Sequence, residues 1–199
     1  MRQIYALIAT LVLTFSVGSI PANAVTDGEL DGNGHPYVGL MVAQTAAGQP
    51  LWRCSGTLIS PTVFLTAGHC TEAPAAHAEI WFDADVESGI PGNGYPFVGD
   101  AGGATFTHPQ YNPNAFFLHD LGVVVLTAPV ASDTYGALPA LNVLDQLATR
   151  RGRQDVTFTS VGYGLQEINP VHVEAERVRM YARPHLIQIN APGFTGEQG

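Results

Sequence analysis

A histidine and a cysteine follow a short apolar run in the stretch Leu65-Thr66-Ala67-Gly68-His69-Cys70. The run Thr62–Leu65 predicts a buried strand, and the small residues after it let the backbone turn tightly, so that the imidazole faces a cleft. Cys70 could tie this turn to Cys54, the only other cysteine of the chain. A histidine held in a fixed position has what a general base needs, because imidazole titrates near neutral pH.

A carboxylate stands at the start of a second apolar run. Asp120 precedes Leu121–Leu126, a stretch that is too continuous for a half-exposed strand and is therefore predicted to be buried on both faces. A carboxylate at the mouth of such a strand can be buried and still accept a hydrogen bond from an imidazole. The alternative interpretation is a turn aspartate that caps the strand end.

Two segments resemble the active-site histidine region of the trypsin/chymotrypsin-like serine proteases, namely Cys54–Ser60 and Leu65–Cys70. The resemblance implies that His69 is the general base, that Asp120 is the carboxylate of the catalytic triad, and that His119 is a spectator. His108-Pro109-Gln110-Tyr111 matches a further motif of the family, and Gly162-Tyr163-Gly164 resembles its Gly-Trp-Gly motif with tyrosine in place of tryptophan. A structural His-Cys turn in an unrelated secreted domain is the alternative.

The same resemblance implies an all-β fold of two antiparallel β-barrels, with residues 25–130 in the first and 131–199 in an incomplete second. The 22 glycines, 14 prolines and many short apolar runs also favour a loop-rich β protein. The strands expected from the sequence are Val38–Ala43, Leu51–Ile59, Thr62–Thr66, Ala78–Phe82 and Leu186–Ile189. Glu87–Gly103 is expected to be a surface loop. Val173–Ala182 has the composition of an amphipathic helix, but the resemblance favours a strand.

The net charge and the N-terminal segment limit the functions expected of this chain. The formal net charge is −9 and all eight basic residues are arginine, which disfavours nucleic acid and anionic membranes as partners. Residues 1–24 read as a secretory signal peptide with an apolar stretch and a cleavage site at Ala22-Asn23-Ala24. Cleavage there makes Val25 the mature N-terminus, which resembles the start of mature trypsin-like enzymes. An unstructured leader before the first strand is the alternative interpretation. We therefore expect a secreted monomer whose substrates are proteins or peptides. Once the signal is removed, we expect no contact with a membrane.

Export also favours a disulfide between Cys54 and Cys70, because an oxidising compartment lets thiols pair. Two free thiols are the alternative. The two cysteines and scattered histidines show no metal-ligand spacing, so the sequence predicts neither a metal nor a cofactor. The acidic residues Asp83, Asp85 and Glu87 are interpreted as a solvated turn rather than a calcium site.

The nucleophile of the triad is missing from the sequence. In the family it lies in Gly-Asp-Ser-Gly-Gly, and none of the five serines beyond the signal peptide has the required glycines around it: Ser55, Ser60, Ser88, Ser132 and Ser160. The specificity pocket is missing as well, so substrate preference is not predictable. Two hypotheses follow. The chain is an incomplete copy of a secreted serine endopeptidase, or it is an inactive homologue that acts, if at all, as a binding protein.

Overall fold

We describe a computed structural model of the chain, covering residues 28–115, 118–144, 147, 155–165, 167–169 and 172–186. The predicted signal peptide, Val25 and most of the predicted strand Leu186–Ile189 lie outside the described residues.

Six antiparallel strands close into a barrel in the order β2-β3-β4-β7-β6-β5. Their bounds are β2 Val38–Gln44, β3 Pro50–Ser60, β4 Val63–Thr66, β5 His77–Trp81, β6 Ala101–Thr107 and β7 Gly122–Leu126. Alternate residues of each strand point inward, and they form a core that contains Met41, Leu58, Phe64, Ile80 and Val124, each at most 1% exposed. This burial is what holds the barrel closed and the strand ends in place.

A smaller sheet packs against the outside of the barrel. It has the order β1-β11-β8, from β1 (Glu29–Leu30), β8 (Ser160–Gly162) and β11 (Met180–Ala182). A second cluster of buried side chains joins it to the barrel, formed by Val38, Leu40, Val42, Trp81, Val86 and Tyr163. Strands β9 (Glu167–Asn169) and β10 (His172–Glu174) pair separately. The small sheet is consistent with an incomplete second barrel.

The described residues contain three short 3₁₀ helices, Gly68–Cys70, Glu87–Gly89 and Pro113–Ala115, and no α-helix. Within the same part of the chain, no helix has the length and apolar character that crossing a membrane requires. The all-β class expected from the sequence is confirmed.

Three details of the expected strands were wrong or incomplete. Strand β7 is fully buried on one face only, since Val123 is half-buried and Val125 is 44% exposed on the outside of the barrel. The predicted loop ends at Asp100, and Ala101–Gly103 belong to β6. The segment Val173–Ala182 is not one strand, since β10 ends at Glu174 and β11 begins at Met180.

The acidic turn is used in packing. Glu87 pairs with Arg177 at 2.6 Å, and Asp85 accepts a hydrogen bond from the Ser88 backbone. A hydrogen bond from Arg177 holds the pKa of Glu87 below its usual range. The carboxylates of Glu87 and Asp85 therefore contact different groups of the protein, Arg177 and the Ser88 backbone, and do not converge on one cation position.

Gly103 permits the close contact between β6 and β7. A Cβ atom at this position would lie 2.1 Å from the Val125 carbonyl oxygen, which is backbone and cannot rotate away. We expect Gly103→Ala to lower the free energy of unfolding by about 1–3 kcal/mol, as overpacking does in protein cores. Urea denaturation of the purified protein measures this change.

Gly92→Ala is the matched control for Gly103→Ala. A Cβ atom at Gly92 meets its nearest neighbour at an ordinary 3.4 Å. The control should denature at nearly the same urea concentration as the wild type. Equal midpoints for the two variants would contradict the close packing of β6 on β7.

Candidate active site

The pairing of β4 with β7 brings His69 and Asp120 together. Thr66, the last residue of β4, lies opposite Gly122, the first residue of β7. Because the strands are antiparallel, the residues that follow β4 and those that precede β7 meet at the same end of the barrel. His69 comes three residues after Thr66 and Asp120 two residues before Gly122, so two positions 51 residues apart in sequence become neighbours.

The two side chains form a hydrogen-bonded pair. The Asp120 carboxylate accepts a hydrogen bond from the His69 backbone at Oδ1 (2.8 Å), while its Oδ2 lies 2.8 Å from His69 Nδ1. An ionised carboxylate only accepts, so Nδ1 carries the hydrogen and Nε2 of the neutral ring is left as the acceptor. The His69 side chain is 53% exposed, and it can therefore meet a substrate.

The charge of Asp120 is stabilised at this site. Burial acts to raise the pKa of the carboxyl group, but hydrogen bonds from the His69 backbone and side chain and from the Gly68 backbone more than offset it. The pKa of Asp120 consequently lies below its ordinary value. The group stays negative at neutral pH, and a negative group stabilises an imidazolium ion beside it.

Several contacts hold the 3₁₀ turn that carries His69. Cys70 is joined to Cys54 by a disulfide, and its carbonyl oxygen accepts a hydrogen bond from Trp52 Nε1 at 3.0 Å. Thr71 Oγ1 donates to the Gly68 carbonyl oxygen and lies 2.9 Å from Thr107 Oγ1 on β6. These contacts fix the imidazole position without using its ring.

Sequence reasoning identified the disulfide but missed Trp52, Thr71 and Gly122. A Cβ atom at Gly122 would lie 2.3 Å from Thr71 Oγ1, so glycine lets the turn approach β7. The sequence showed only that Gly122 lies two positions after Asp120. It did not show that Trp52 and Thr71 hold the histidine turn, because the contacts of these two side chains depend on strand pairing.

A mainly apolar groove of about 350 Å³ is lined by residues close in sequence to the pair, although neither His69 nor Asp120 lines it. It is lined on one side by Thr66 and Ala67, just before the histidine turn, and on the other by Leu121, just after Asp120. Val38 and Val161 close it where the barrel meets the small sheet. A volume of this size lies in the range of small ligand sites.

None of the serines is hydrogen-bonded to His69 in the part of the chain that the structure describes. Ser55 Oγ accepts a hydrogen bond from the Tyr163 backbone at 2.8 Å, which commits it to the contact between barrel and small sheet. Ser132 Oγ donates to the Thr134 carbonyl oxygen. The described residues therefore bring together a base and its carboxylate but not a nucleophile.

One group of side chains, Cys54, His69 and Cys70, places its ligand atoms within 4.8 Å of one another among the described residues. Both sulfur atoms belong to the disulfide, and a disulfide sulfur is not the thiolate that binds metals.

Comparison with known proteins gives a family and a fold. The model of the Trypsin family matches residues 29–191. A solved structure of HL collagenase superposes with a TM-score of 0.54 at 18% identity, covering 77% of this chain and 59% of that one. The chain thus spans about three-fifths of the length of the collagenase that it matches. No curated protein matches the chain significantly.

The family match includes the described barrel and the small sheet, and the collagenase likeness independently supports the same fold. With its His-Asp pair at one end of a six-stranded barrel, the chain belongs to the trypsin family, the trypsin/chymotrypsin-like serine proteases.

Proposed function

We propose that the protein is a secreted serine endopeptidase in which His69 is the general base and Asp120 is the carboxylate that orients it. The observation that carries this proposal is the 2.8 Å contact between Asp120 Oδ2 and His69 Nδ1 at the mouth of the barrel. Membership of the trypsin family supports peptide-bond hydrolysis through an acyl-enzyme.

In this mechanism His69 Nε2 takes the proton of a serine hydroxyl as the oxygen attacks the peptide carbonyl. Asp120 keeps the hydrogen on Nδ1 and stabilises the imidazolium ion that forms. We place the serine and the backbone N–H groups of the oxyanion hole in a Gly-Asp-Ser-Gly-Gly segment, which is not found among these 199 residues. The groove beside Ala67 and Leu121 leaves room for substrate or for that segment.

The organisation predicted from the sequence is part of the proposal. Residues 1–24 direct export, Val25 starts the mature chain, and residues 25–130 and 131–199 contribute to two barrels. The disulfide supports an oxidising compartment for the mature protein. The proposed substrates are proteins or peptides, which the protein hydrolyses as a monomer outside the cell.

A fluorophosphonate probe tests the function on the natural secreted protein. Such a probe reacts with a serine hydroxyl only when a base activates it. We expect labelling of the wild type and its loss in His69→Ala, because the base is removed. His77→Ala is the matched control, since His77 contacts Glu79 on β5 and not Asp120, and it should label normally.

Absence of labelling in the folded wild type would overturn the proposal. It would favour the other hypothesis, an inactive homologue that binds other proteins. Labelling that persists in His69→Ala would remove His69 from the mechanism while leaving the serine active.

A further inference from the structure

The chain contains two Asn-Gly pairs in nearly identical local sequence. They lie in residues 32–36 and 92–96, which read Gly-Asn-Gly-His-Pro and Gly-Asn-Gly-Tyr-Pro. An asparagine before glycine can lose its side-chain amide, because glycine has no side chain to obstruct attack by its own backbone nitrogen. The local sequence makes the two asparagines similarly reactive, so a difference between them in the folded protein must come from their surroundings.

The two asparagines also occupy the same position of a β-turn. Gly34 N donates to the Asp31 carbonyl oxygen at 3.0 Å, and Gly94 N donates to the Pro91 carbonyl oxygen at 3.4 Å. Each asparagine is thus the third residue of its turn, and each attacking nitrogen is hydrogen-bonded to the first. The hydrogen bond is the shorter one at Gly34, so the nitrogen by itself does not favour reaction at Asn33.

The side chain of Asn93 is held in place. Its Nδ2 donates to the Val86 carbonyl oxygen at 2.9 Å, and its Oδ1 accepts a hydrogen bond from the Tyr95 backbone at 3.3 Å. The Asn93 carbonyl oxygen accepts a further hydrogen bond from Trp81 Nε1 at 2.9 Å. The amide must give up its two side-chain hydrogen bonds before its carbon can turn towards the Gly94 nitrogen.

The side chain of Asn33 has no such restraint. Asn33 is exposed, and no group in the described part of the chain forms a hydrogen bond with its amide. The side chain can therefore rotate until its carbon meets the nitrogen of the next residue. Water also reaches this turn from solvent, and water is needed for the second step of the reaction.

We propose that Asn33 is a site of spontaneous deamidation in the folded protein and that Asn93 is protected from it. The Gly34 backbone nitrogen loses its proton and attacks the side-chain carbon of Asn33, and the amide nitrogen leaves as ammonia. The five-membered succinimide ring that results then adds one water molecule. Opening at one carbonyl gives aspartate, and opening at the other gives isoaspartate, whose main chain runs through the former side chain.

Isoaspartate at position 33 changes the main chain between two anchored residues. Arg179 Nη2 donates to the Gly32 carbonyl oxygen at 2.8 Å, and the His35 backbone donates to Asp31 Oδ2 at 3.0 Å. The modified residue lies between Gly32 and His35 and adds one carbon to the main chain there. Both hydrogen bonds then no longer fit the same spacing, so we expect the conversion to loosen the link between β1 and β2.

Peptide mapping of the incubated protein tests the site. The natural secreted protein is kept folded at mildly alkaline pH, with a fluorophosphonate present so that self-cleavage does not alter the maps. Mass spectrometry follows the conversion of amide to acid in the peptide that contains each asparagine. We expect Asn33 to convert about tenfold faster than Asn93 or more, because two hydrogen bonds of ordinary strength hold only the Asn93 amide.

Incubation in urea is the matched control within the same chain. Unfolding removes the hydrogen bonds of Asn93, so the two asparagines should then convert at similar rates. Asn33→Gln should abolish the fast conversion in the folded protein, because the longer side chain forms the corresponding ring much more slowly. Equal rates in the folded protein, faster conversion of Asn93, or conversion of Asn33 only in urea would each overturn the proposal.

The effect on the fold is tested by urea denaturation. Asn33→Asp carries the charge of the aspartate product on an unaltered main chain, so its midpoint should stay close to that of the fresh wild type. The incubated wild type, which contains isoaspartate, should denature at a lower urea concentration, and incubated Asn33→Gln should not. An unchanged midpoint for a wild type shown to contain isoaspartate would refute the loosened link. None of these measurements depends on peptidase activity.

Discussion

For the proposed peptidase, replacing Asp120 with asparagine should lower kcat by about 10⁴-fold with little change in KM. The amide keeps the shape of the carboxylate, and its oxygen can still accept the hydrogen bond from the His69 backbone. Its NH₂ group then faces His69 Nδ1 and makes that nitrogen the acceptor. The hydrogen moves to Nε2, which can no longer take the serine proton. Steady-state peptide hydrolysis at neutral pH measures the effect.

The control for this variant is His119→Asn at the adjacent residue. His119 has a φ of 54°, a left-handed conformation that asparagine tolerates, and it stacks on His108 rather than on His69. Its kcat should stay close to that of the wild type. A loss of less than about tenfold in Asp120→Asn would show that the carboxylate does not set the tautomer.

The variant Asp120→Asn also tests the charge of the Asp120 carboxylate. Because the folded-state pKa of this group is lowered, its contribution to stability is complete above the unfolded value, near pH 4, and is lost as pH falls through the lowered pKa. Asp120→Asn should therefore show a smaller loss of stability on acidification than the wild type. Urea denaturation between neutral and acid pH compares them.

Replacing Arg179 with methionine should lower the free energy of unfolding by about 3–5 kcal/mol. Arg179 and Asp31 form an ion pair with side chains only 1% exposed. Arg179 also donates to the carbonyl oxygens of Val38 and Phe82 and to the Tyr163 hydroxyl. The substitution leaves a buried carboxylate without its main charge partner and the carbonyl oxygens without a donor. Urea denaturation at neutral pH measures the change.

The double variant Asp31→Asn/Arg179→Met should regain part of the lost stability, because the unpaired charge is removed. Arg183→Met is the control, since Arg183 is an exposed residue over the Tyr181 ring, and its change should stay within about 1 kcal/mol. An Arg179→Met variant as stable as Arg183→Met would show that the ion pair and the hydrogen bonds of Arg179 to the barrel contribute little to stability.

Burial and Arg179 act in opposite directions on the pKa values of the neighbouring groups Tyr163 and Asp31. Burial raises the pKa of Tyr163 to about 12, against the opposing effect of Arg179, so this phenol stays protonated and donates to the Asp83 carbonyl oxygen at 2.6 Å. Burial would raise the pKa of Asp31, but hydrogen bonds from His35 and Arg179 lower it below its usual value. Its stabilising effect is therefore complete above about pH 4 and is lost as pH falls further.

Local sequence was enough to predict the strands that carry strong apolar patterns. β2, β3 and β4 begin and end within one or two residues of the expected bounds. The first three residues of β6, Ala101–Gly103, were assigned to a loop because the segment Glu87–Gly103 is rich in glycine and proline, which have low strand propensity. There the pairing with β5 and β7 outweighs propensity, and the glycines are what allow that pairing.

The sequence by itself determined the all-β class, the family resemblance and the identity of the two residues placed in the site, because each rests on a short motif with local apolar context. Tertiary structure alone decided that Arg179 joins Asp31 across 148 positions and that Thr71 and Trp52 hold the histidine turn. It also decided that His69 lies against both cysteines. These contacts depend on which strand ends meet when the barrel closes, and strand pairing between distant segments leaves no local pattern in the sequence.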